Sequence, residues 1–157
     1  NTVSYKNFDL NVFFRFSGGN KIMNASRQSA LFNMDFSNNG TEILGRWISP
    51  EQPGDGMTPK IGYGDASSLF NDGYTDSHFV ESGNYLKLST LALGYTLPKA
   101  VVSKLNMTKI RFYVQGQNLL TITGYSGLDP ETNSRLGVDW NGMPQQRSFT
   151  FGANITF

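Results

Sequence analysis

From Ser148 to Phe157 the chain alternates without a break. Phe149, Phe151, Ala153, Ile155 and Phe157 hold one parity; Ser148, Thr150, Gly152, Asn154 and Thr156 hold the other. Successive side chains of a strand point to opposite faces, so this period of two predicts a strand with one apolar and one polar or small face. Three more segments carry the signature. Phe8, Leu10, Val12, Phe14 and Phe16 alternate with Asp9, Asn11, Phe13, Arg15 and Ser17. Ile110, Phe112, Val114, Leu120 and Ile122 share a parity broken by Gly116 and Asn118, opposite Arg111, Tyr113, Gln115, Gln117 and Thr121, with Leu119 the exception. In Asn84–Leu97, Leu91, Leu93, Tyr95 and Leu97 form one set while Leu86 and Leu88 fall on the other parity, so periodicity leaves the facing there open.

Composition narrows the class. Charged residues are 16% of the 157, against about 25% in ordinary domains. The 13 basic and 12 acidic residues cancel, which excludes nucleic-acid binding through a basic surface. Without cysteine there is no disulfide framework and no thiolate metal site. No window approaches the run of about 18 apolar residues that a membrane helix needs. With no initiator Met and no signal-peptide core, Asn1 is not expected to be where the gene product begins. Twelve Phe, seven Tyr and 17 Gly point to a β protein, expected to be a piece of something longer.

The predicted strands run over about 7–17, 84–97, 109–123 and 148–157. One helix is expected over Met23–Phe36, followed by the Gly/Pro-rich run SPEQPGDGMTPKIGYGD. The connections are long, short, long: 18–83, 98–108 and 124–147. Soluble domains seldom carry a mostly irregular loop of about 65 residues. Transmembrane β-barrels do so routinely, with long loops outside and short periplasmic turns. On this reading 18–83 and 124–147 are extracellular loops and 98–108 is a periplasmic turn. Phe157 then ends at the periplasmic rim, as the aromatic C-terminal residue that serves barrels as an assembly signal. Four strands cannot close, because the smallest bacterial barrels have about eight and an open edge in lipid leaves backbone groups unpaired. The expectation is an all-β fold: the C-terminal four antiparallel strands of a large transmembrane β-barrel, multi-pass in a Gram-negative outer membrane. The apolar faces of Phe8–Phe16 and Phe149–Phe157 would meet lipid, where a charge at Val12 or Phe151 costs about 2–4 kcal/mol.

The segments YKNFDLNVFFRFSGGNKIMN (Tyr5–Asn24), SHFVESGNYLKLSTLALGYTLP (Ser77–Pro98), IRFYVQGQNLLTITGYSGLDPE (Ile110–Glu131) and RSFTFGANITF (Arg147–Phe157) resemble the C-terminal end of SusC/RagA-type TonB-dependent transporters of Bacteroidetes. The resemblance implies a parent barrel of roughly 22 strands with a globular plug in its lumen. It further implies a SusD-like lipoprotein lid, energy supplied through TonB, ExbB and ExbD, import of oligosaccharides or peptides, and pairing of two barrels with two lids. The plug and the TonB-binding segment belong to the N-terminal part of such proteins and have no counterpart in these residues.

Candidate chemistry is sparse. His78 is the sole histidine and reads as a polar residue where a loop meets a strand. No nucleophile or zinc motif is present, so no catalytic residue and no cofactor is expected. Asp65, Asp72, Asp76 and Glu81 form one loose acidic group; Asp129, Glu131 and Asp139 form another. Neither has the rigid placement of a glycosidase pair; Asp72 with Asp76 could contribute to a calcium site in the loop, though the EF-hand pattern is missing. Asp129 before Pro130 favours a turn. GYGD at Gly62–Asp65 lacks the Lys of a phosphate loop. The loop aromatics Trp47, Tyr63, Phe70, Tyr74, Tyr125 and Trp140 are the candidates for contact with ligand or partner. Packing of the loops or an interfacial aromatic girdle would explain them equally. Tyr95 and Phe157 read as girdle residues. Arg15, Arg111, Gln115 and Gln117 lie on polar parities and would face the lumen or the plug. A rival reading is a secreted β-sandwich that binds carbohydrate, which would have shorter and more even connections.

Overall fold

In the computed structural model, which describes residues 1–32, 38–60, 77–131 and 136–157, the alternating segments pair into one antiparallel sheet. In chain order the strands are β1 (Thr2–Tyr5), β2 (Phe8–Ser17), β3 (Lys21–Asn24) and β4 (Val80–Ser82). They continue with β5 (Tyr85–Thr96), β6 (Lys109–Thr123), β7 (Val138–Asp139) and β8 (Ser148–Thr156). Helix α1 covers Ala25–Phe32 and the one-turn helix α2 covers Lys99–Val102. The chain divides into two compact units.

The first unit comprises Asn1–Gly19, Asn84–Gly124 and Gln145–Phe157. Its five strands lie in the order β1-β2-β5-β6-β8, all antiparallel. The register stacks apolar residues in rows across the sheet. Leu10, Leu93, Val114 and Phe151 make one row; Phe8, Tyr95, Phe112 and Ala153 make the next. The leucines left open by periodicity are settled here by a β-bulge. Ser89 is skipped in both ladders of β5: β2 passes from Thr90 to Leu88 between Phe13 and Phe14, and β6 passes from Gln117 to Leu120. One extra residue reverses parity. Leu86 and Leu88 therefore join the face of Leu91, Leu93 and Tyr95, opposite Phe16, Phe14, Val12, Leu10 and Phe8 of β2. The skipped residues on β6 number two, Asn118 and Leu119, so that strand keeps its parity. The apolar face is not a core within this unit, since Phe16 is 82% and Phe151 78% exposed. The apolar side chains that are covered, Val102 and Ile110, lie at and just after the β5–β6 connection, and Lys87 is buried within β5. Asn106 closes that connection in the left-handed region at φ 54°.

The second unit comprises Asn20–Gly83 and Tyr125–Pro144. It holds a three-stranded sheet, β4-β3-β7, in which β3 runs antiparallel to β4 and parallel to β7. Ile22 of β3 and Phe79 are fully buried, with Ala25 and Tyr125 nearly so. Asn24 ends β3 and caps α1: its Oδ1 accepts the Arg27 N–H at 2.9 Å, the bond expected of an N-cap residue. The helix thus starts at Ala25 rather than Met23, which β3 takes up, and residues 33–37 of the expected helix lie outside the described residues.

Two expectations are corrected. The fold is mixed rather than all-β: helices accompany two sheets, and one sheet contains a parallel pair. Neither sheet closes, since β1 and β8 form the edges of one and β4 and β7 the edges of the other. The five-stranded sheet falls short of the smallest barrels and has two open edges. The description as a transmembrane β-barrel, and with it the multi-pass outer-membrane placement, does not hold for this chain. No described helix is long and apolar enough to cross a membrane. The error has a physical source. Alternation reveals only strands long enough to show a period, so β3, β4 and β7 were read as irregular loop.

Candidate functional site

Within the second unit, an open pocket of about 600 Å³ lies at the start of α1. Asn24, Arg27, Glu42, Ser126, Leu128 and Trp140 are among its walls. Arg27, one turn into α1, organises it. Its Nε donates to Glu42 Oε2 at 3.0 Å, and its Nη2 forms a shorter ion pair with Glu42 Oε1. Nη1 reaches Glu81 Oε1 on β4 at 3.4 Å and the His78 carbonyl at 3.3 Å. The guanidinium also lies over the Phe79 ring, 5.7 Å from its centroid. Two carboxylates raise its pKa above the usual guanidinium value, the Glu42 hydrogen bond contributing most.

Glu81 is the second hub. It accepts from the Ser126 N–H at 2.8 Å, the Ser126 hydroxyl at 2.7 Å and the Asn24 amide at 3.2 Å. Burial works against its charge, but the Ser126 bonds, Asn24 and Arg27 outweigh burial and hold the carboxyl below its ordinary value. Also lining the pocket, buried Asp139 accepts the Tyr125 hydroxyl at 2.6 Å and the Asn141 N–H at 2.9 Å. Burial, then the Asp139 carboxylate, pushes the Tyr125 phenol well above its ordinary pKa. Among the described residues, the charged groups that line the pocket are each engaged by a protein partner, while Trp140 and Leu128 stand 74% and 68% exposed.

The residues singled out in the sequence separate into several places. Trp140 lies at the pocket and Tyr125 beneath it, buried. Trp47 sits in a different loop, where its N–H donates to the Thr58 carbonyl at 2.9 Å and Lys60 Nζ lies 5.9 Å from its ring. Tyr63, Phe70 and Tyr74, with Gly62–Asp65, Asp72 and Asp76, lie outside the described residues. Arg15, Arg111, Gln115 and Gln117 fall on the polar side of the five-stranded sheet, where Arg111 pairs with Asp9. Phe157 is exposed beyond β8. Asp129 accepts the Glu131 N–H at 3.0 Å, consistent with a turn, and is buried. His78 Nε2 lies 3.4 Å from Arg27 Nη2. Among the described residues no group of three or more His, Asp or Glu is placed to hold a metal ion. Asn24, Arg27, Glu42 and Ser126 carried no signal in the sequence. Apart from the local Asn24–Arg27 bond, their partners lie 15 to 102 residues away.

No family model matches the chain. Curated relatives do. TonB-dependent receptor P3 of Formosa agariphila is 32% identical over 167 residues, covering 100% of this chain and 16% of the receptor. TonB-dependent receptor P26 of the same organism is 31% identical over 169 residues. TonB-dependent receptor SusC of Bacteroides thetaiotaomicron is 26% identical over 171 residues, covering 99% of this chain and 14% of the receptor. Among solved structures, the RagAB peptide transporter superposes with a TM-score of 0.81 at 27% identity, covering 98% of this chain and 16% of that one. The RagAB peptide importer in its open-open state gives 0.77 at 26% identity. The chain is homologous to TonB-dependent receptors of the SusC/RagA family. It spans 14% to 16% of the length of these relatives.

Proposed function

We propose that this chain is one segment of an active importer that takes up glycans or peptides. The importer works with a SusD-like lipoprotein and is energised through TonB, ExbB and ExbD, and two such assemblies pair. The observation that carries the reading is the unbroken likeness: the whole chain aligns with TonB-dependent receptor P3, and 98% of it superposes on the RagAB peptide transporter. A role without catalysis fits relatives that are named receptors and transporters, and a pocket whose charged groups are tied to one another.

The test is genetic. Deleting the gene for the full-length protein, and separately the gene for TonB, is expected to abolish uptake of the same labelled oligosaccharide or peptide. The full-length gene restores uptake, and a lipoprotein co-purifies with its product. Unchanged uptake in the deletion strain, with no co-purifying lipoprotein, overturns the reading.

A further inference from the structure

We infer that the pocket at the start of α1 binds an uncharged saccharide unit, stacked on Trp140, and discriminates against acidic sugars. The inference rests on the importer reading and adds to it a site and a selectivity. At about 600 Å³ the pocket falls within the range of small-molecule sites. Trp140 is 74% exposed at its edge, a flat apolar face with an indole N–H, and Leu128 beside the same pocket is 68% exposed. Such a face suits the C–H side of a pyranose ring, whose hydroxyls then meet polar walls.

The charge arrangement decides which sugar. Among the described residues, Arg27 is the one cation that lines the pocket, and Glu42 and Glu81 engage it. Asp139 also lines the pocket, held by Tyr125, Asn141 and Gly142. Among the described lining residues, the carboxylates of Glu42 and Asp139 thus stand beside one guanidinium. A uronate or sulfated unit would be repelled and would have to break an existing ion pair to be compensated. A neutral ring needs neither.

The purified full-length receptor is titrated with neutral oligosaccharides (cello-, malto-, manno- and xylo-series), with oligogalacturonate and alginate oligomers, and with a short-peptide library. At least one neutral series is expected to bind, and the uronates at least about tenfold more weakly. Trp140→Ala lowers the neutral affinity by about tenfold or more, whereas Trp140→Phe, which keeps a stacking face, stays within about threefold. Equal uronate binding, an unaffected Trp140→Ala variant, or retention of peptides alone overturns the inference. Trp140 is exposed, so its removal leaves the core intact, and the Phe variant separates lost stacking from lost structure. If glycan uptake proceeds with Trp140→Ala binding as the parent does, the site fails while the importer stands. Uptake that persists after deletion of the whole gene sinks the importer reading itself.

Discussion

Arg111 on β6 reaches over Gly94 of β5 to hold Asp9 on β2, with Nε donating to Oδ1 at 2.9 Å and Nη2 to Oδ2 at 2.5 Å. The register sets Asp9 opposite Gly94, so the pair crosses the middle strand where that strand has no side chain. A Cβ at Gly94 would fall within contact distance of both the guanidinium and the carboxylate. Bidentate geometry adds to the strength of a pair whose side chains are 22% and 28% exposed. Asp9→Asn is expected to cost about 1 kcal/mol, and Gly94→Ala a similar amount by displacing the pair. Because both break one interaction, a double-mutant cycle should show the combined loss well below the sum. Strict additivity in thermal melts would show that Gly94 acts independently of the pair.

Tyr125 and Asp139 form a buried bond at 2.6 Å, with both side chains almost wholly covered. Tyr125→Phe removes the donor and leaves a buried carboxylate short of a partner, at a cost of about 1–3 kcal/mol. Hydrogen exchange of the amides around Asp139 should quicken accordingly. The raised phenol pKa adds a sign. The folded state prefers the protonated phenol, so this contribution is full below the unfolded value of about 10 and fades as pH rises through the folded value. Tyr125→Phe removes that alkaline sensitivity.

Acid should loosen the pocket through Glu81. Its carboxyl lies below its ordinary pKa in the fold, so its contribution is present above the unfolded value of about 4.3 and is lost as pH falls through the folded one. Glu42, held down chiefly by the Arg27 hydrogen bond, acts in the same direction. Glu81→Gln should therefore be less stable at neutral pH yet show a flatter decline below about pH 4. Parallel acid profiles in parent and variant would assign that decline to other carboxylates.

The loop carrying Trp47 turns on Asp55, which accepts the Met57 N–H at 2.8 Å and the Thr58 N–H at 2.7 Å. Gly54 and Gly56 flank it, both at positive φ, 70° and 75°. Only Gly54 is also crowded: a Cβ there would collide with the Gly45 and Arg46 carbonyl groups, whereas Gly56 has open space. Gly56→Ala should cost about 1 kcal/mol for the left-handed backbone alone, and Gly54→Ala clearly more. Limited proteolysis of the full-length protein should cut this loop faster in the Gly54 variant than in the Gly56 variant. The reverse order would refute the packing argument.

Much of the five-stranded sheet was legible because its signal is local. Phe8 to Phe16 and Phe149 to Ile155 display their period in the sequence itself, and the sheet places each set along one face. Leu86 and Leu88 were not legible, since a bulge at Ser89 is defined by what β2 and β6 pair with. The pocket was hardly legible. Trp140 and Tyr125 stood out as loop aromatics, and Glu81 and Asp139 as members of loose acidic groups, but Arg27, Glu42 and Ser126 look like ordinary surface residues until the chain brings them together.

The side-chain alternation of long strands was determined by the sequence alone, because it follows from the geometry of an extended backbone. Likeness along the whole chain also identified the receptors to which it is homologous. Tertiary structure alone decided the two-unit division, the short strands KIMN, VES and VD, the parallel β3–β7 pair and the charge network around Arg27. Strands of two to four residues have no period to read, and hydrogen bonds from distant neighbours hold them extended. The network is likewise a property of contact: Glu81 meets Ser126 across 45 residues of chain, and each remains charged or polar surface until the other desolvates and binds it.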